Sequence, residues 1–75
     1  MKELVEHMTK ALVTEADQVS ITETDDGETI ALSLKVAPED MGKVIGKQGR
    51  IAKAMRVVLK TAASKEGKRC TLEID

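Results

Sequence analysis

The sequence predicts an α+β domain in which three helices cover one face of a three-stranded mixed sheet, in the order α-β-β-α-α-β. Three observations carry this. Three short stretches alternate apolar and polar residues, the signature of strands with one covered and one wet face. Other stretches carry apolar residues at helical spacing, and Gly27, Pro38, Gly46 and Gly67 punctuate the boundaries. At 75 residues the chain is one domain.

The first helix spans residues 2–15. In ELVEHMTKALVTEA, Leu4, Val5, Met8, Ala11 and Leu12 share one stripe, with Glu3, Glu6 and Lys10 opposite. QVSITET sets Val19 and Ile21 against Ser20 and Thr22, a half-buried strand over 18–24. Asp26-Gly27 signals a two-residue hairpin, because both residues tolerate the positive φ of a type I′ turn. ETIALSLKV then places Ile30, Leu32, Leu34 and Val36 opposite Ala31, Ser33 and Lys35, a strand over 28–36. Pro38 ends it and suits the first turn of a helix over 39–45, with Glu39 and Asp40 at its positive end. Gly46 stops that helix, and the apolar period restarts for a long helix over 50–65. RCTLEID closes the chain as a strand over 69–75, with Cys70, Leu72 and Ile74 inward. Reached through a two-helix crossover, this strand should lie beside the second and parallel to it.

Composition excludes several functions. With no Phe, Trp or Tyr, the chain cannot stack bases as RRM sheets and OB-folds do. Cys70 is the single cysteine and His7 the single histidine, which rules out an internal disulfide and a four-ligand zinc site. A core this small then depends on regular packing, helped by a partner. The lone thiol, the lack of a signal peptide and the lack of a long apolar run predict a soluble cytoplasmic protein without membrane contact. No constellation supports catalysis or a cofactor: His7 reads as a surface residue, Cys70 as a small buried hydrophobe, and the four methionines as core filler. The acidic stretch TETDDGE reads as a solvated hairpin tip.

Charge is divided along the chain. Residues 1–40 carry three lysines against ten acids, a net of −7, whereas residues 41–75 carry nine cations against three acids, a net of +6. Met41 to Lys65 contains no acid, which points to an anionic partner. On the long helix, Ile51, Met55, Val58 and Ala62 fall between roughly 80° and 140° from Arg50, and are expected to face the core. Arg50, Lys53, Arg56 and Lys60 fall between roughly 240° and 360°, on the opposite side. That basic face runs into VIGKQGR, where Gly46 and Gly49 expose backbone beside Lys47 and Arg50, with Lys43 one turn back. Exposed N–H groups at a helix start, flanked by cations, suit phosphate. The stretch is no Walker loop, lacking the Ser or Thr after its lysine.

VIGKQGR between a short and a long helix resembles the signature of a KH domain, whose GXXG loop clamps the backbone of single-stranded RNA. The element order resembles the type II arrangement. Together with the ELVEH start and EDMGKVIGKQGRIAKAMR, it makes the whole chain similar to the KhpA family of stand-alone bacterial KH proteins. That resemblance implies a single KH domain over residues 1–75, with the GXXG loop at 46–49. It implies RNA contacts from Lys43, Val44, Ile45, Gly46, Lys47, Gln48, Gly49, Arg50, Lys53 and Arg56. It further implies RNA-chaperone or post-transcriptional regulatory activity, and a link to cell shape and cell-wall homeostasis. As partners it implies a homodimer, a heterodimer with a KhpB-type protein, or both. Ala52 departs from the general KH pattern, which places a large aliphatic there, and Ile51 stands where members of the family often have a small hydroxyl residue. Val57, at roughly 340° inside the basic stripe, is the residue expected to mark self-association. Two rival readings are a helix-turn-helix DNA reader, against which the absence of Asn and Gln on the basic stripe argues, and a pure dimerisation module.

Overall fold

Alternation in the central strand decides the architecture. The computed structural model describes all residues from Met1 to Asp75. The elements are α1 (Lys2–Lys10), β1 (Ser20–Asp25), β2 (Thr29–Lys35), α2 (Met41–Ile45), α3 (Arg50–Ser64) and β3 (Arg69–Ile74). Single 3-10 turns occupy Ala16–Gln18, Pro38–Asp40 and Lys47–Gly49. β2 lies in the middle, antiparallel to β1 with Ser20 opposite Lys35, and parallel to β3 with Thr29 opposite Arg69. The α+β fold with its three helices and mixed sheet is therefore as expected. Ile30, Leu32 and Leu34 of β2 are buried with Ile21 and Leu72 from its neighbours. Val5 of α1, Val44 of α2 and Met55, Leu59 and Ala63 of α3 close over them. Ala31, Ser33 and Lys35 stand exposed on the other face.

The first helix is shorter than its apolar stripe predicts, ending at Lys10 rather than near residue 15. The cause is Asp40, fully buried and 26 residues away from Thr14 in sequence. Its Oδ1 accepts from the Thr14 N–H at 3.1 Å and the Thr14 hydroxyl at 2.8 Å, and its Oδ2 accepts from the Glu15 N–H at 2.9 Å. A continued helix would have sent those N–H groups to its own carbonyls. The carboxylate takes them instead, because an ionised acceptor forms the stronger hydrogen bond.

Two further expectations are corrected. The hairpin connection is longer than a two-residue type I′ turn, since only Gly27 has positive φ (+94°) and Asp25 already pairs with Ile30. Asp26 caps the connection through its Oδ1, which accepts from the N–H groups of Glu28 and Thr29. The second correction concerns α3. Its buried residues are Ala52, Met55, Leu59 and Ala63. The buried face is thus turned by roughly 70–80° from the one that Ile51, Val58 and Ala62 would define. Alanines at both ends let the helix settle close to the sheet, leaving the larger Ile51 and Val58 on its flank.

Asp40 also sets a pH dependence. Its carboxyl is pushed down to about 2, chiefly by the Glu15 N–H and then by both Thr14 donors, against the opposing effect of burial. A depressed folded-state pKa means the stabilisation is complete above the unfolded value near 3.8 and disappears as pH falls through about 2. Asp40→Asn should therefore lower the melting temperature at pH 7. The gap to the parent should narrow between pH 4 and pH 2, as thermal melts followed by circular dichroism will show. A constant gap across that range would contradict the assignment.

Candidate nucleic-acid interface

The segment between α2 and α3 is shaped by two glycines with different reasons to be glycine. Gly46 ends α2 with φ 77° and ψ 175°, a region essentially closed to other residues. A Cβ there would also stand 2.6 Å from Cγ1 and 2.9 Å from Cβ of Ile51. Gly49 adopts the left-handed conformation that starts α3, and the space beside it is open. Between them Lys47 and Gln48 are exposed, and Gln48 is the chain's sole non-glycine residue at positive φ (59°). The turn thus holds two polar side chains outward on a rigid base. Part of the expected N–H cradle is already used: Gly49 N–H donates to the Gly46 carbonyl at 3.1 Å, and Arg50 N–H donates to that of Lys47. Charge at this turn comes mainly from side chains rather than from a free helix end.

Helix α3 divides what flanks the turn into two grooves. On the β3 side, Arg56, Leu59, Lys60, Cys70, Thr71 and Leu72 line a groove of about 330 Å³. Arg56 Nε donates to the Leu72 carbonyl at 3.3 Å, which ties the helix to the edge strand. Cys70 is half-buried there, and burial pushes its thiol pKa up, so it stays a neutral thiol at pH 7. On the α1 side, His7, Met8, Leu12, Ile51, Ala54 and Val58 line an almost wholly apolar groove of about 490 Å³. The exposed large apolar residues Leu12 (37%), Val58 (44%) and Val57 (64%) lie in it or on the ridge above it.

The sequence-derived residues separate accordingly. Lys47, Gln48, Arg50 and Lys53 are exposed around the turn and the start of α3, and Ile45 is half-buried next to it. Val44 is corrected: it is fully buried in the core and can touch no ligand, supporting the turn from beneath. Lys43 is partly compensated by Asp40, 3.5 Å away. The four ion pairs of the chain are Met1 with Glu23, Lys10 with Glu6, Lys43 with Asp40 and Lys68 with Asp25. Lys47, Arg50, Lys53, Arg56, Lys60 and Lys65 all lack an acidic partner. The β3 residues Cys70, Thr71 and Leu72 were missed as groove lining, because periodicity reads Cys70 and Leu72 as core and says nothing of a strand's edge. No His, Cys, Asp or Glu group could hold a metal ion, and no helix is long and apolar enough to cross a membrane.

The family model described as KhpA/KhpB, KH domain, matches residues 2–74. Among curated relatives, a protein of Clostridium acetobutylicum named RNA-binding protein KhpA is 60% identical over 74 residues, covering 99% of each chain. Proteins of the same name from Halalkalibacterium halodurans and Aquifex aeolicus are 54% and 47% identical. They cover 99% of this chain and 97% and 94% of their own lengths. No solved structure matches the chain significantly.

Gly46 gives the site a stability test. Gly46→Ala should cost about 1–3 kcal/mol from its backbone conformation alone, and more from the contact with Ile51. Ile51→Ala in the same chain should return the steric share and leave the conformational one. Urea denaturation of the two single variants and the double variant measures both, and a Gly46→Ala protein as stable as the parent would refute this account of the turn.

Proposed function

The chain belongs to the KhpA/KhpB KH-domain family, and from that premise we propose that it binds single-stranded RNA. The GXXG turn at 46–49 takes the phosphates, and the groove between α3 and β3 takes the bases. The observation that carries this is the set of unpaired cations Lys47, Arg50, Lys53, Arg56 and Lys60. They stand on a segment without a single acid, around a turn whose two exposed side chains are polar. Lys43 adds a partly neutralised charge one turn earlier. Such a surface attracts the sugar-phosphate backbone, and counterion release makes its affinity fall steeply with salt. Without aromatic platforms, bases rest on aliphatic side chains and the strand edge, so sequence preference is weak. A modest, sequence-tolerant grip suits an RNA chaperone or post-transcriptional regulator; the family resemblance extends that reading to cell shape and cell-wall homeostasis.

A second observation favours a protein partner. The apolar groove between α1 and α3 leaves Leu12 and Val58 facing solvent, with half-buried Ile51 beside them, on a domain whose own core is small. A second copy of the chain covers this groove, and a KhpB-type protein is the alternative occupant. Val58 and Leu12 replace Val57 as the central residues, because Val57 stands on the ridge outside the groove.

Lys47→Asp with Gln48→Asp keeps both glycines and puts two negative charges where a phosphate must sit. Affinity for a short single-stranded RNA should fall at least about tenfold with the circular dichroism spectrum unchanged. Lys53→Ala should weaken binding less, and to a similar extent for every sequence. Fluorescence anisotropy at several salt concentrations decides this, and a folded double variant that binds like the parent removes the mechanism. For the dimer, sedimentation should show the parent self-associating and Val58→Glu monomeric. A parent that is monomeric at high concentration would refute the second copy.

A further inference from the structure

We propose that the bound strand continues past the groove beside the turn, along the outer face of α3, into a second basic groove at that helix's C-terminal half. Lys60, Thr61, Ser64 and Lys65 line this groove, about 460 Å³ in volume and without an apolar residue. The inference rests on the RNA-binding reading above and sets how much RNA the domain holds.

Three features point to a nucleic-acid track rather than an ordinary solvated helix surface. Lys60 lines both this groove and the one against β3, so a single cation borders the two and can serve a strand that passes from one to the other. Neither Lys60 nor Lys65 is within salt-bridge distance of an acid, although the chain is one-third charged and pairs Lys68 and Lys10 elsewhere. Ser64 presents a hydroxyl between the two lysines, a donor that suits a phosphate oxygen, while the Thr61 hydroxyl donates to the Val57 carbonyl at 2.9 Å and offers its lone pairs to a ribose hydroxyl. The C-terminal end of a helix carries partial negative charge, and a phosphate there needs full positive charges to outweigh it. Lys60 and Lys65 supply them.

The track also has an end. Glu66 follows Lys65 directly, and the β1–β2 hairpin tip lies just beyond: Arg69 N–H donates to the Glu28 carbonyl at 2.9 Å, and Lys68 is paired with Asp25. Asp26 and Glu28 belong to the same tip, so a strand running farther meets the carboxylates of Glu66, Asp25, Asp26 and Glu28, with Lys68 already engaged by Asp25 and Arg69 the one cation there left without an acidic partner. Helical rise places Lys60 and Lys65 roughly 15 and 22 Å from Arg50 along the axis. A stacked strand advances about 3.4 Å per nucleotide, so those residues sit roughly four to six nucleotides from the turn. A GXXG loop alone holds about four nucleotides. The full footprint is therefore about six to eight.

Oligouridines of four, eight and twelve nucleotides test this by anisotropy with the intact chain. The eight-mer should bind more tightly than the four-mer by more than the gain from extra registers, and the twelve-mer should add only that gain. Ser64→Glu with Lys65→Glu, whose fold is checked by circular dichroism, should weaken the eight-mer about fivefold or more. Lys65→Gln should make its salt dependence shallower by close to the 0.7 expected per lost phosphate contact. A folded Ser64→Glu/Lys65→Glu protein that binds the eight-mer like the parent would overturn the extended track. So would a short duplex that competes as well as the single strand. Failure of the underlying reading looks different: Lys47→Asp/Gln48→Asp would then leave the binding of every length unchanged.

Discussion

The seating of α3 on the sheet fixes what every other surface can be. Ala52 and Ala63 bring the helix down at both ends, while Met55 and Leu59 fill the middle of the contact. With that face committed, the remaining positions have no freedom of choice. Ile51, Ala54 and Val58 fall toward α1 with Arg50 at the head of that groove, Arg56 and Lys60 fall toward β3, and Val57 and Ser64 lie on the outer face between them. One helix thus separates an apolar groove from a basic one. A rotation of a single residue step would mix the two chemistries and leave neither surface coherent.

The turn at the start of α3 depends on that seating and on two anchors of opposite kind. Ile51 packs over Gly46 so closely that no side chain fits beneath it, which fixes where α2 must end. Asp40 secures the other end of α2, tying Thr14 and Glu15 to the entry of the helix pair. A five-residue helix has little stability of its own. It holds the turn in place because Val44 is buried beneath it, Gly46 locks its exit and a buried carboxylate holds its entry. By resemblance, Ile51 departs from a small hydroxyl residue common in the family, and its packing on Gly46 shows what the larger side chain does there.

Much of this was legible in the sequence, and what was not has a common cause. The three alternating strands, the element order and the position of the GXXG turn follow from local patterns. Local patterns are sufficient for them because burial of one face imposes the period. The early end of α1 was invisible because its reason, Asp40, lies 26 residues away in the chain. The rotated face of α3 was invisible because alanines score weakly as core residues, although their small size is what permits close packing. Val44 was misread as a contact residue for the opposite reason: it neighbours the turn in sequence, but helical geometry points it inward. The groove lining from β3 required knowing that this strand lies at the sheet edge beside α3, which only topology supplies.

Keeping the two grooves apart lets a very small domain do more than its core size suggests. A 75-residue chain without aromatic residues cannot gain much affinity from any one site. RNA on the proposed track and a protein in the apolar groove would meet different residues of α3, Lys60 and Ser64 for the first and Ile51 and Val58 for the second. A second copy bound through the apolar groove would place a second basic groove at a fixed distance from the first. Two weak grips on one strand would then act at an effective concentration set by that distance, so overall affinity would exceed that of either site without any new contact. The charge asymmetry fits the same arrangement. Acids gathered at the hairpin tip and in the stretch between α1 and β1 leave the cations of α3 uncompensated, so a chain of net charge −1 still presents one strongly positive edge.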